Sequence, residues 1–142
     1  MELRRSAEDY LEAIYIIKQQ KGIVRSIDVA HHLDYSKPSV SRAMGNLKKD
    51  GYIEMRPDGE LLFTKKGLQT AENIYERHTI LTQLFTSIGV PKEIAAADAC
   101  RVEHAISEET FERLKATHRH RITLPLPVEE ADSSQKKKSG KE

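Results

Sequence analysis

The chain has 142 residues and a formal net charge of +1, from 23 basic and 22 acidic side chains. At roughly 150 residues per domain, this length gives one domain or a small domain with an extension, and it excludes a large two-domain enzyme. A single cysteine excludes an intrachain disulfide, and no apolar run approaches the ~18 residues of a membrane span. Because the polar N-terminus also lacks the apolar centre of a signal peptide, we expect a cytoplasmic protein with no membrane contact.

Three helices are predicted over the first third of the chain. Their predicted N-caps are Ser6, Ser26 and Ser36. The first helix is expected to end at Gly22, and the short second helix has Ile27, Ala30 and Leu33 as its inward face. The third helix has Pro38 in its first turn, where a missing N–H costs nothing. Helical periodicity therefore dominates this part of the sequence.

The hydrophobic period changes after the third helix. Residues 52–56 and 60–64 are short strand-like runs on either side of the turn signal Pro57-Asp58-Gly59, which together predict a hairpin. A long helix capped by Thr64 is predicted from about residue 65 to residue 87.

Two further helices are predicted, over about residues 92–106 and from Ser107 to about residue 118. We expect His118 and His120 to lie exposed at the end of the last helix. Beyond it, two prolines exclude a continuing helix, and the polar composition of residues 123–142 predicts a disordered tail. The predicted fold class is therefore mainly α.

Three helices followed by a hairpin is the element order of a winged helix-turn-helix, whose third helix enters the major groove of DNA. The predicted recognition helix, residues 36–49, carries four cations and no acid. Small hydroxyl side chains allow close approach to DNA, and Arg or Lys neutralise phosphates or read guanine edges. Together with one cation from the wing, the candidate DNA-binding residues are Ser36, Lys37, Pro38, Ser39, Ser41, Arg42, Lys48 and Arg56.

A basic helix taken alone is more often a solvated surface than a DNA-binding surface, and it is the order of elements that favours DNA binding here. A single module of this size binds DNA weakly, and specific sites usually require a symmetric dimer on two half-sites. We therefore expect a homodimer on a palindromic double-stranded operator, with the helices after the hairpin available for dimerisation.

A second set of residues has the chemistry of a metal centre. The candidate ligands are Asp9, Glu12, His78, Cys100, Glu103 and His104. Cys100, Glu103 and His104 stand at i, i+3 and i+4, and Asp9 and Glu12 at i and i+3, so each group would share one helix face. Thiolate, imidazole and carboxylate together suit a divalent transition metal. Taken singly, each residue type is more often structural or solvated than a ligand.

Three segments together resemble the diphtheria-toxin-repressor-like metalloregulators, which include the manganese transport regulators. The segments are Ala7-Glu8-Asp9-Tyr10-Leu11-Glu12-Ala13-Ile14-Tyr15, Glu76-Arg77-His78, and Ala99-Cys100-Arg101-Val102-Glu103-His104 followed by Ser107-Glu108-Glu109. The resemblance covers roughly residues 4–120. It implies a homodimeric winged-helix repressor that binds Mn(II) or Fe(II) as corepressor and then blocks promoters of metal-uptake genes.

The resemblance also assigns the ligands residue by residue. Asp9 falls where manganese regulators have an aspartate and iron regulators a methionine, and Glu12 matches a second acidic ligand of the manganese type. His78 matches the ligand on the long helix, and Glu103 and His104 match a Glu-His ligand pair.

Cys100 departs from the manganese pattern, because iron-type members have a cysteine here and the manganese type a bridging glutamate. Thr82 and Ala96 stand where the accessory site of iron-type members has an acid and a histidine, so we expect that site to be absent in its usual form. Carboxylates favour Mn(II), whereas a thiolate favours Fe(II), Co(II) or Zn(II). Zn(II), Co(II) or Ni(II) are expected to bind in vitro, and the number of metals per subunit is left open.

We therefore expect a winged-helix DNA-binding domain over residues 1–70 and a helical metal-binding and dimerisation domain over residues 71–122. In this interpretation bound metal ties the first helix to the dimerisation domain, which lowers the cost of binding two half-sites at once. We expect no enzyme, because a metallo-hydrolase would need an acid/base pair that the sequence does not suggest. The main alternative is a metal-independent winged-helix regulator that responds to a small organic ligand.

Overall fold

The structure is a computed structural model that describes residues 4–123, and side chains to His118. In this range the chain has six helices and one two-stranded sheet, and the predicted mainly α fold is confirmed. The elements are α1 (Arg5–Lys21), α2 (Ser26–Leu33), α3 (Lys37–Lys49), β1 (Ile53–Met55), β2 (Leu61–Phe63), α4 (Lys65–Ser87), α5 (Lys92–Val102) and α6 (Glu108–Thr123). The predicted tail lies, from residue 124 onward, outside the described residues.

The chain divides into two compact units between Glu76 and Arg77, a boundary that falls inside α4. We call them the N-terminal unit and the C-terminal unit. None of the described helices is long and apolar enough to cross a membrane.

An apolar core holds the first three helices and the sheet of the N-terminal unit together. Its fully or almost fully buried side chains include Leu11, Ile14, Val24, Val29, Val40, Met44, Ile53 and Leu61. Each such side chain contributes roughly 1.5–3 kcal/mol by leaving water. On α3 the buried residues Val40, Met44 and Leu47 recur at helical spacing, so the opposite face of that helix is directed to solvent.

The hairpin is antiparallel, with Glu54 opposite Leu62 at its centre. It is also tied to the segment before α2, because the N–H of Leu61 donates to the carbonyl of Val24 at 2.8 Å. The wing is therefore anchored to the helical core by backbone hydrogen bonding.

Several predicted helix starts are confirmed. The N–H of Ser39 donates to Ser36 Oγ at 3.3 Å, and the N–H of Gly67 donates to Thr64 Oγ1 at 3.0 Å. Ser107 caps α6 in the same way, at 3.1 Å. These side chains satisfy N–H groups that a helix leaves without a partner in its first turn.

Two other predicted caps are wrong. α1 begins at Arg5, so Ser6 lies inside the helix rather than before it. α2 begins at Ser26 itself, and its start is stabilised from within the helix, because the N–H of Arg25 donates to Asp28 Oδ2 at 2.9 Å.

Burial corrects two further predictions. Ile27, predicted to face inward, is 38% exposed, and Val29 is fully buried instead. His118, predicted to be exposed, is only 6% exposed, and its Nε2 lies 2.9 Å from Gln83 Oε1. His118 follows the buried Phe111 by seven residues, a helical spacing that could have revealed its burial.

α5 is shorter than predicted. It ends at Val102, and Glu103 and His104 lie in the turn that follows, where the N–H of Ile106 donates back to the carbonyl of Val102 at 3.1 Å. The predicted i, i+3, i+4 set therefore begins on α5 with Cys100 and ends in this turn.

Candidate metal centre and nucleic-acid interface

In the C-terminal unit the carboxylate of Glu103 lies between two imidazoles. Its Oε2 lies 2.9 Å from His78 Nδ1, and its Oε1 lies 3.3 Å from His104 Nε2. The side chain of Glu103 is 0% exposed and that of His104 is 3% exposed. Burial alone would raise the pKa of Glu103, but the hydrogen bonds and positive charge of His104 and His78 outweigh it and lower that pKa. Glu103 is therefore an anion at neutral pH.

The surrounding elements bring these side chains together from distant parts of the sequence. His78 comes from α4, and Glu103 and His104 come from the turn after α5. Cys100, on α5, is half-buried, and its Sγ lies within 4.8 Å of a ring nitrogen of His104. The four ligands predicted in this unit are thus neighbours in space.

The donor set fits a divalent transition ion. Such ions are bound by imidazole nitrogens, ionised carboxylates and thiolates, and the C-terminal unit offers all three kinds. A desolvated carboxylate is costly unless it is paired or ligates a metal, and Glu103 is paired with His78 and His104, which could themselves be ligands. This combination favours a metal centre over a purely structural ion pair.

The N-terminal unit holds the two remaining predicted ligands on one face of α1. Asp9 is half-buried, and Glu12 is only 8% exposed, between the fully buried neighbours Leu11 and Ala13. Acidic side chains are seldom buried without a pairing or ligating role. α1 therefore presents two oxygen donors of the kind that hard cations prefer.

The outward face of α3 and the wing form a polar surface in the N-terminal unit. The predicted DNA-binding residues are all exposed: Ser36, Lys37, Pro38, Ser39, Ser41, Arg42, Lys48 and Arg56. Ser36 and Ser39 also hydrogen-bond each other through their hydroxyls at 2.8 Å, which orders the start of α3. This surface has the small hydroxyls and cations that contacts to phosphates and base edges require.

Two arginines in the wing region have acidic neighbours. Nε of Arg56 lies 3.8 Å from Glu60 Oε1. Arg25 is not among the predicted DNA-binding residues. Its Nη2 lies 3.6 Å from Asp58 Oδ2, and its Nε donates to the carbonyl of Asp58 at 3.4 Å. Arg25 precedes α2, and only the tertiary fold brings it beside the wing, so no local sequence signal could have found it.

Two family models match the chain. Residues 2–61 match the model described as "Iron dependent repressor, N-terminal DNA binding domain". Residues 64–125 match the model described as "Iron dependent repressor, metal binding and dimerisation domain".

Curated relatives carry related descriptions. The chain is 35% identical over 118 residues to the transcriptional regulator MntR of Escherichia coli O6:H1, covering 82% of this chain and 76% of the relative. It is 32% identical over 126 residues to the iron-dependent repressor IdeR of Mycobacterium tuberculosis, covering 88% of this chain and 55% of the relative. It is 34% identical over 115 residues to an uncharacterized HTH-type transcriptional regulator of Methanocaldococcus jannaschii, covering 80% and 92%.

Solved structures with the same fold include IdeR of T. acidophilum, with a TM-score of 0.66 and 26% identity over 80% of this chain and 53% of that one. The metal-dependent transcriptional regulator MtsR has a TM-score of 0.71 and 28% identity over 78% of this chain and 52% of its own. The chain spans about half the length of these two proteins.

Proposed function

This chain belongs to the iron-dependent repressor family of metal-dependent transcriptional regulators, and we propose that it represses metal homeostasis genes in the cytoplasm when a divalent cation is bound. The family consists of DNA-binding regulators, and we assign no catalytic residues. The observation that carries the proposal is the buried Glu103 carboxylate between His78 and His104, in a chain whose α3 presents an exposed basic face.

We assign the metal to six ligands, four from the C-terminal unit and two from α1: His78, Cys100, Glu103, His104, Asp9 and Glu12. When bound, the cation supplies the positive charge that holds carboxylates, imidazoles and thiolate in one centre. Mn(II) or Fe(II) is the proposed corepressor, because carboxylate oxygens favour Mn(II), the thiol of Cys100 favours Fe(II), and one relative is named an iron-dependent repressor.

The proposed switch acts through α1. Asp9 and Glu12 lie on this helix, and the buried Leu11 and Ile14 of the same helix belong to the core that also contains Val40 of α3. Any restraint on α1 is therefore transmitted to the recognition helix through close-packed side chains. A coupling of 1–3 kcal/mol between metal and operator would change operator affinity about 5- to 150-fold.

We propose that the repressor acts as a homodimer. In the C-terminal unit Ile88 and Ile94 are 51% and 54% exposed, and Leu84, Phe85 and Val90 nearby in the sequence are half-buried. Exposed apolar side chains grouped in this way are typical of protein interfaces, and the matching family model includes dimerisation. A two-fold dimer would present two copies of α3 to successive half-sites, which is why we expect a palindromic operator.

DNA-binding anisotropy tests the proposal. The full chain would be titrated, without oxygen, onto the promoter of its own gene and promoters of neighbouring transporter genes, first with chelator and then with Mn(II) or Fe(II). We expect tighter binding with metal, and the metal that acts at the lower free concentration is the corepressor. Equal binding with chelator and with either metal would contradict the metal switch and leave a metal-independent regulator.

Two kinds of variant separate the metal response from DNA binding. His104→Ala and Cys100→Ala should keep basal DNA binding and lose the metal response, whereas Arg42→Ala should weaken operator binding without changing metal affinity. A full metal response in both ligand variants would contradict the ligand assignment.

A further inference from the structure

The side chain of Arg77 makes contacts that neither DNA binding nor metal ligation requires. It precedes His78 on α4 and is half-buried. Its Nη1 donates hydrogen bonds to the backbone carbonyl oxygens of Glu103 at 3.2 Å and of Ile106 at 3.1 Å. Its Cζ lies 5.3 Å from the centre of the Phe111 ring, which is 3% exposed. One guanidinium therefore joins α4, the turn after α5, and α6.

The two carbonyls lie in the turn that joins α5 to α6. Glu103 is the C-cap of α5, and carbonyl groups at this end of a helix lack partners within the helix, so a nearby cation is stabilised there by the helix dipole. Ile106 lies beyond the helix, and its carbonyl oxygen accepts the second hydrogen bond from Arg77. Arg suits this position better than Lys, because its planar fork can donate two hydrogen bonds while its face stacks on an aromatic ring. Arg77 thus fixes the backbone of residues 103–106.

This turn is also the segment that carries Glu103 and His104. His78, on α4, and Glu103, in the turn, are 2.9 Å apart. Arg77 is next to His78 in the chain, and its side chain bonds to the backbone of Glu103, so it links the two segments that carry this contact. Mutation of a group that orients a metal ligand without touching the metal commonly lowers metal affinity by about 10- to 100-fold.

We propose that Arg77 is a positioning residue of the metal centre, which holds the Glu103–Ile106 turn against α4 and so sets the ligand geometry. The inference rests on the proposed function, since it concerns the same metal. Arg77 itself is a cation and ligates nothing.

Arg77 could affect the metal centre through its positive charge or by positioning the ligands, and the two roles predict opposite effects on metal affinity when Arg77 is replaced. Removing a positive charge beside a cation site relieves repulsion and should tighten metal binding. Removing a positioning group should weaken binding, because the ligands lose their preset arrangement. The direction of the change therefore distinguishes the two roles.

The test measures the Mn(II) affinity of the full chain by competition with a chelator, together with the visible absorption spectrum of its Co(II) form, which reports coordination geometry. The variants are Arg77→Met, which keeps the stem and removes the donors, and Arg77→Lys. Arg101→Met is the matched control, because Arg101 is exposed on α5 next to Cys100, and its Nη1 lies 3.3 Å from Asp98 Oδ1 at the surface.

We expect Arg77→Met to lower Mn(II) affinity about 10- to 100-fold and to shift the Co(II) spectrum. Arg77→Lys should lose about 3- to 10-fold, since an ammonium can donate to the carbonyls but lacks the planar guanidinium that lies over the Phe111 ring. Arg101→Met should bind metal as tightly as the wild type or slightly more tightly.

Wild-type affinity and an unchanged Co(II) spectrum in Arg77→Met would overturn the inference. If that variant fails to fold, the same result in Arg77→Lys would overturn it. Absence of metal binding by the wild type is a different outcome, which would contradict the proposed function itself.

Discussion

The candidate functional groups of the two units differ in their exposure to solvent. In the N-terminal unit the candidate DNA-binding groups lie outside an apolar core: Arg42 is exposed, while Val40 and Met44 on the same helix are fully buried. In the C-terminal unit the candidate ligands surround a buried carboxylate: Glu103 is 2% exposed, whereas His78 and Cys100 are half-buried. Exposed cations can reach the phosphates of DNA, whereas a buried carboxylate is costly unless it is paired or ligates a metal.

This difference determines how stability and function are related in each unit. An exposed arginine on α3 contributes little to folding, so its removal should affect DNA binding alone. Glu103 is a desolvated anion whose burial is offset by two imidazoles, so its removal should affect both metal binding and folding. We expect the two properties to separate in the N-terminal unit and to change together in the C-terminal unit.

The largest effect on stability should come from a residue that is neither a candidate metal ligand nor a candidate DNA-binding residue. Gly67 is buried on α4, and a Cβ there would overlap the backbone carbonyl of Tyr52. We expect Gly67→Ala to destabilise the protein by about 3 kcal/mol, measured by denaturant unfolding.

Gly45→Ala is the matched control. Gly45 lies within α3, and a Cβ there would meet nothing within 4 Å. Alanine should therefore stabilise the helix by up to about 1 kcal/mol. Equal stability of the two variants would show that the close approach of α4 to Tyr52 does not limit folding of the N-terminal unit.

The next effect concerns the C-terminal unit. Glu103→Gln keeps the shape of the side chain but removes the charge that pairs with His78 and His104. We expect loss of metal binding and a loss of about 2 kcal/mol in the stability of the metal-free protein. Chelator competition and denaturant unfolding measure the two changes, and Glu109→Gln, exposed on α6, is the control.

A Glu103→Gln variant that lost metal but kept its metal-free stability would break the comparison. It would mean that the buried carboxylate contributes as little to the free energy of folding as the exposed groups of α3 do.

Arg42→Ala should show the separation expected of the N-terminal unit. A base or phosphate contact by this exposed arginine predicts a loss of about 1–3 kcal/mol in operator affinity, with unfolding stability unchanged within about 0.5 kcal/mol. Arg113→Ala, which removes an exposed cation from α6, is the matched control. If both variants weakened operator binding equally, net charge rather than the surface of α3 would account for the affinity.

Local sequence signals predicted most of the fold because most element boundaries are set locally. Ser36, Thr64 and Ser107 cap helices through bonds that span three residues, and helical spacing identified the buried face of α3. The candidate metal ligands were assigned by the resemblance of three segments to a known family, because spacing alone favours a structural or solvated role for each of them.

Features that depend on contacts between distant residues were missed. α5 ends four residues before its predicted end. The turn that ends it is held by Arg77, which lies 26 residues before Glu103, so the local sequence does not reveal where the helix stops. Arg25 lies beside the wing through a contact with Asp58, 33 residues away. The start of α2 was missed for a local reason. Ser26 was predicted to cap this helix, but the side chain that accepts the bond from the N–H of Arg25 is that of Asp28, three residues further along.

The smallest expected effect is on the free energy of unfolding, and its pH dependence tests whether the Asp28 carboxylate stabilises the start of α2. The pKa of Asp28 is lowered, chiefly by the hydrogen bond from the N–H of Arg25 and further by Lys21 at 3.2 Å, which together outweigh its partial burial. Because the folded state favours the ionised form, Asp28 stabilises folding fully above its unfolded pKa of about 3.9 and loses this contribution as pH falls through its folded value.

Asp28→Asn should therefore be less stable than the wild type by about 1 kcal/mol at pH 7, with the difference shrinking below about pH 4. Denaturant unfolding at both pH values measures it, with Asp50→Asn at the exposed end of α3 as the control. A difference that persisted undiminished at pH 3 would show that the carboxylate charge does not stabilise the start of α2. Operator affinity should not change at pH 7, because Asp28 bonds to Lys21 and Arg25 at the start of α2 and is not one of the candidate DNA-binding residues.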